Sequence, residues 1–169
     1  MEATAVKLYS LEYKNAKTYL VTLLFVTGNI VFPQLCHMAN LGPVLLPIYF
    51  FTLIAAYKYG WKAGVLTAIL SPVANSLLFG MPMATALPAI MSKSVLLAIS
   101  AGFAANYFKK VSVLILLGVV LFSQIFGTLI EWAMVKDFFL AVQDFRLGLP
   151  GMAFQILGGF LMIKLILKK

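Results

Sequence analysis

The side chains best equipped for chemistry in this 169-residue chain crowd into one stretch, PQLCHMANLGP at 33–43, which holds its only histidine and its only cysteine. Cys36, His37 and Met38 are residue types that ligate haem and soft metals. On a helix, consecutive side chains point about 100° apart, so one metal could take all three only where the helix has ended. His37 alone could be an axial ligand to a haem iron or a cobalamin cobalt, or it could be a hydrogen-bonding residue where a membrane segment surfaces into water. The reading adopted here puts His37 at the lid or rim of a polar pocket, with Cys36 and Met38 packing, and expects no metal and no cofactor.

Other chemistry is poorly supplied. There is no G-x-x-x-x-G-K-[ST] phosphate loop, no His–Glu zinc motif, no paired-carboxylate motif and no nucleophile elbow. With one histidine and five acidic residues the chain is not expected to be an enzyme. One cysteine excludes an internal disulfide framework.

The elements that must carry these residues are apolar helices. The chain is 63% hydrophobic and 11% charged, with a mean hydropathy of +1.02, far from the balance of a soluble domain. Six segments, at 18–36, 43–58, 62–79, 86–107, 111–134 and 149–167, are continuous apolar runs without the alternation of barrel strands. The second is short and carries Pro47, while Pro43, Pro88 and Pro150 suit first-turn positions. The expected fold is therefore an all-α integral membrane protein, a bundle of six transmembrane helices. Residues 1–17 form a cytoplasmic or interfacial N-terminal segment, with Val6, Tyr9 and Tyr13 as its spaced apolar residues, and residues 18–169 form the bundle.

The net charge of +8 is loop bias rather than nucleic-acid affinity. Lys7, Lys14, Lys17, Lys58, Lys62, Lys109, Lys110, Lys164, Lys168 and Lys169 fall on one side, whereas Lys136 and Arg146 on the other are balanced by Asp137 and Asp144. The positive-inside rule then predicts both termini in the cytoplasm, with loops near 37–42, 80–85 and 135–148 outside.

Polar residues within the spans gather toward the outer leaflet: Asn29 and Gln34 in the first, Asn75 and Ser76 in the third, Ser92 and Lys93 in the fourth, Glu131 and Trp132 at the end of the fifth, and Gln155 in the sixth, with Gln124 deeper. Groups that are costly in hydrocarbon usually face a bundle interior or a wet cavity, so the pattern predicts an outward polar pocket over an apolar floor. Each has a plainer alternative: the amides could bond across helices, and Glu131 and Trp132 could anchor the interface. Lys93 lies about 8–13 Å below the end of its helix, where it needs either an ion pair with Glu131, a ligand, or both. Gly60, Gly64 and Ala68 make a flat small-residue face, suited to close packing within the bundle or to docking on another membrane subunit.

The stretch from Ile30 to about Ala105 resembles the substrate-binding S components of energy-coupling factor (ECF) transporters. The resemblance is carried by Pro33, His37, Gly42, Leu46–Pro47, Gly60 and Gly64, Ser71–Pro72, Asn75–Ser76 and Gly80–Met81–Pro82. It implies a prokaryotic plasma-membrane protein that captures a vitamin or related micronutrient near the outer surface. It also implies partners, a transmembrane coupling protein and two ATPase subunits, beside membrane lipids and no nucleic acid. Two departures stand out. Thr18 and Thr22 occupy the first helix where the family often has small docking residues. Ile48–Tyr49 and Ser92–Lys93 stand where a methionine–histidine pair and an acid would be expected. A lysine at 93 suits an anionic or electron-rich ligand, and Tyr49 joins the expected site. The alternatives are a self-sufficient small carrier or channel, or a non-catalytic membrane biogenesis subunit.

Overall fold

The computed structural model describes residues 4–5, 11–38, 40, 45 and 47–167. Val6, Lys7, Tyr9, Gly42, Pro43, Leu46, Lys168 and Lys169, which entered the sequence reading, lie outside the described residues.

Five helices are long and apolar enough to cross a membrane: α1 (Ala16–Met38), α3 (Trp61–Phe79), α4 (Leu87–Phe108), α5 (Val113–Val135) and α7 (Leu149–Leu167). Their ends are written in local chemistry. Gly80 (φ 68°), Lys109 (φ 51°) and Lys136 (φ 60°) close α3, α4 and α5 in the left-handed conformation, each returning its N–H to the carbonyl four residues back. Proline stands in the first turn of α4, where its missing N–H costs little.

The second apolar segment departs from expectation. Over residues 47–59 it forms a 3-10 turn, Pro47–Tyr49, and a ten-residue helix, α2 (Phe50–Tyr59), rather than one continuous helix. Ten residues reach about 15 Å, roughly half the hydrocarbon thickness of a bilayer. Leu53, Ile54, Ala55 and Ala56 are wholly buried, and α2 packs against α1, α3, α4 and α7. Its sequence is apolar because it is the core of the bundle. Gly60 (φ 98°) then breaks the chain between α2 and α3.

A second departure is α6 (Phe138–Leu147), a short helix in the segment expected to be a loop, packed chiefly on α5. Asp137 caps it: Leu140 N–H donates to the Asp137 Oδ1 at 3.1 Å.

The N-terminal segment is tied to the bundle. Strand β1 (Thr4–Ala5) pairs antiparallel with β2 (Lys110–Val111) in the α4–α5 connection, Leu11 N–H donates to the Tyr59 carbonyl, and Glu12 pairs with Lys62. Tyr57 on α2 donates its hydroxyl to the Lys110 carbonyl at 2.7 Å, locking the same corner. The alternating chain direction collects Lys14, Lys17, Lys58, Lys62, Lys109, Lys110 and Lys164 at this end of the bundle, called here the basic end. Lys58, expected as a loop charge, is buried there. The opposite end carries the C-termini of α1, α3 and α5 and the N-termini of α4 and α7.

The small-residue face of α3 is used inside the chain. A Cβ on Gly64 would lie 2.4 Å from the Ala56 Cβ, so glycine is what lets α3 lie against α2. Gly60 and Ala68 are buried on the same side.

Candidate functional site

Polar side chains inside the bundle fall into two groups toward the end opposite the basic one. The first joins α1, α2 and α3. Pro33 has no N–H to offer the Asn29 carbonyl one turn back, and the Asn75 Nδ2 of α3 donates to that carbonyl at 2.9 Å. Asn29 in turn donates to the Thr52 Oγ1 (3.0 Å) and Ser71 Oγ (3.1 Å), and its Oδ1 accepts from the Phe51 N–H at the start of α2 (3.3 Å). Gln34 Nε2 reaches the Asn75 Oδ1 at 3.5 Å. Asn29 and Asn75 are buried and bonded at both ends of their amides. This is a clasp, in which side chains meet the hydrogen-bonding needs that lipid cannot.

The second group lies between α4, α5 and α7. Lys93 is 2% exposed, six residues into α4, and its Nζ stands 2.5 Å from the Glu131 Oε2 near the end of α5. A lysine stem fits there because α5 carries glycine at 127: a Cβ on Gly127 would lie 2.4 Å from the Lys93 Cγ. Gly127 is one turn before Glu131 and one turn after Ser123, so α5 turns a single small and polar face toward Lys93. Tyr49, Lys93, Ser123, Gln124 and Gln155, with Leu97, line a cavity of about 10 Å³, room for about one water.

Hydrogen bonding in this second group is incomplete. The Gln155 Nε2 at the cavity is buried without a hydrogen-bond partner, as are the hydroxyls of Ser94 and Thr128, which follow Lys93 on α4 and Gly127 on α5 in sequence. Lys93 and Glu131 neutralise each other, yet the Gln155 amide beside them keeps an unused donor. Chemically, the arrangement offers a desolvated ammonium, its carboxylate partner and amide groups. That set can hold an anion.

The structure thus brings Tyr49, Lys93, Gln124, Glu131 and Gln155 together and gathers Asn29, Gln34 and Asn75 into the clasp. His37 lies apart, exposed in the last turn of α1, with Cys36 buried and Met38 exposed beside it. Trp132 is exposed on α5, meeting the Phe138 ring edge-on at 5.6 Å. Among the described residues no three His, Cys, Asp or Glu side chains gather to hold a metal ion. Sequence reasoning missed Gly127 and Ser123. The signal for both was their spacing of four and eight residues before Glu131, on one helical face.

Fold and site together define a multi-pass helical membrane protein with a charged, incompletely bonded polar site inside its bundle. The chain matches no protein-family model, no curated protein and no solved structure.

Proposed function

We propose that this chain is the membrane-embedded substrate-binding subunit of an ECF-type importer, capturing a small anionic or electron-rich micronutrient at Lys93 for ATP-driven uptake by a coupling protein and two ATPases. In this reading it resides in a prokaryotic plasma membrane with the basic end cytoplasmic and the Lys93 site toward the outside. The short α2 serves as the sixth helix without crossing the bilayer by itself. The observation that carries the reading is a buried lysine ammonium, paired with Glu131, beside a Gln155 amide whose Nε2 has no hydrogen-bond partner. Intramembrane charges are expensive and mark ligand pathways more often than lipid-facing surfaces. The cavity holds about one water, so capture requires Glu131 to leave Lys93 and α4, α5 and α7 to part. The anionic group of the ligand then takes the carboxylate's place, with Gln124 and Gln155 donating to it. His37 and Trp132 stand at the rim of the same end.

A second reading, a membrane subunit with no ligand, is favoured by that same small cavity and by the closed ion pair. A self-sufficient carrier is the third. The purified full chain in proteoliposomes separates them. The importer subunit binds one solute per chain, hydrolyses no ATP and accumulates nothing by itself. Accumulation by the chain alone assigns it as a carrier, and the absence of any bound solute assigns a structural subunit.

A further inference from the structure

A concavity far larger than the one at Lys93 lies elsewhere in the bundle. It is a groove of about 740 Å³ between the C-terminal half of α4 and the N-terminal half of α5, in the half of the bundle that carries the basic end. Ile99, Phe103 and Phe108 form one wall, and Leu114, Gly118 and Phe122 the other. Every lining residue is apolar except Ser100, whose hydroxyl is already given to the Leu97 carbonyl at 3.1 Å. Phe103 and Leu114 are 70% and 76% exposed, so the groove opens sideways from the bundle. Gly118 makes it deep: a Cβ there would meet nothing within 4 Å.

The chemistry changes abruptly where the groove ends. Phe108 is followed at once by Lys109 and Lys110, both exposed, and the chain then turns into α5 toward Leu114. Neither lysine has an ion pair among the described residues, where Glu12 is taken by Lys62 and Glu131 by Lys93. Both lysines are held in place by their backbone. Lys109 is the left-handed cap of α4, and Lys110 pairs with β1 and accepts the Tyr57 hydroxyl. An apolar slot the length of several helical turns, followed directly in the chain by two exposed lysines, is complementary to one kind of molecule.

We infer that the α4–α5 groove is a specific binding site for an anionic phospholipid, with an acyl chain against Gly118 and the phosphate on Lys109 and Lys110. Basic groups at helix ends between membrane spans recognise anionic headgroups in this way. The charge at one end selects a lipid over an apolar helix of a partner protein or a second copy, either of which would fill the slot without needing the lysines. The inference depends on the chain spanning a bilayer and is independent of what binds at Lys93.

The test is native mass spectrometry of the full chain released from nanodiscs containing equal phosphatidylglycerol and phosphatidylcholine. The wild type should retain one phosphatidylglycerol in preference to phosphatidylcholine. Lys109→Asn with Lys110→Gln should lower that preference by about fivefold for each charge removed. Asparagine tolerates the left-handed cap, and the Lys110 backbone contacts survive the change. Gly118→Leu fills the groove from a position with open space around it, and should reduce retention of both lipids while leaving thermal stability unchanged. Equal retention of the two lipids by the wild type would overturn the proposal, as would lipid retention indifferent to Gly118→Leu. A dimer that Gly118→Leu abolishes, with no lipid retained, would give the groove to a second copy instead.

Discussion

The two polar groups inside this bundle share a depth and differ in what is left over. In the clasp, Asn29 and Asn75 spend their amides on a carbonyl freed by Pro33, on two hydroxyls and on the first turn of α2. Around Lys93, one close ion pair coexists with a buried Gln155 amide donor that has no partner, beside a cavity with room for about one water. A saturated network fixes helices against one another, and its worth is measured in stability. An unsaturated one leaves hydrogen-bonding capacity in a place where capacity is costly, and a ligand is the simplest way to use it.

Four substitutions sharpen or break that contrast, from the largest effect down. Lys93→Met leaves the Glu131 carboxylate inside the bundle without its cation. It should cost about 3 kcal/mol in denaturant unfolding of the detergent-solubilised protein and abolish solute binding. Adding Glu131→Gln should return most of the stability and none of the binding. Asn29→Ala removes three clasp bonds and should cost about 2 kcal/mol, while affinity for the solute stays within a factor of two or so of wild type. If affinity falls instead as far as in the Lys93 variants, the two groups are one site. Gly127→Ala presses a methyl into the Lys93 stem and should cost about 1–2 kcal/mol together with a measurable loss of affinity, because the ammonium is displaced. Gln155→Leu should change stability by less than about 1 kcal/mol, since its Nε2 gives up no hydrogen bond, yet weaken binding of an anionic solute at least tenfold. That pairing of small stability change with large affinity change is the opposite of the clasp's behaviour.

Much of this was readable from the chain. The limits of the first, third, fourth, fifth and sixth apolar segments lie within about two residues of α1, α3, α4, α5 and α7, the ordinary scatter of helix ends. What composition could not reveal is which apolar helix faces lipid. The 43–58 segment is as apolar as its neighbours, but the 3-10 turn at Pro47–Tyr49 and Gly60 bound α2 at ten residues, and the burial of Leu53 through Ala56 explains its hydropathy without a bilayer. Helix α6 was hidden for the opposite reason. Its charges suggested a loop, although Asp137 followed by Phe138, Phe139 and Leu140 is a capping residue before an apolar turn. The polar residues were individually legible as buried, but nothing local divides Asn75 from Gln155. That division depends on Pro33 and on which helices meet, and both are properties of the assembled bundle. The same holds for Gly64, whose spacing fits docking on a partner as well as it fits the contact it makes with Ala56.

The Lys93 cluster as a binding site is tested most directly by mass spectrometry of the small molecules that co-purify with the full chain and with the Lys93→Met, Glu131→Gln double variant. The expected result is one anionic solute, stoichiometric with the wild type and absent from an equally stable double variant. The same solute retained by both proteins, or by neither, would contradict it.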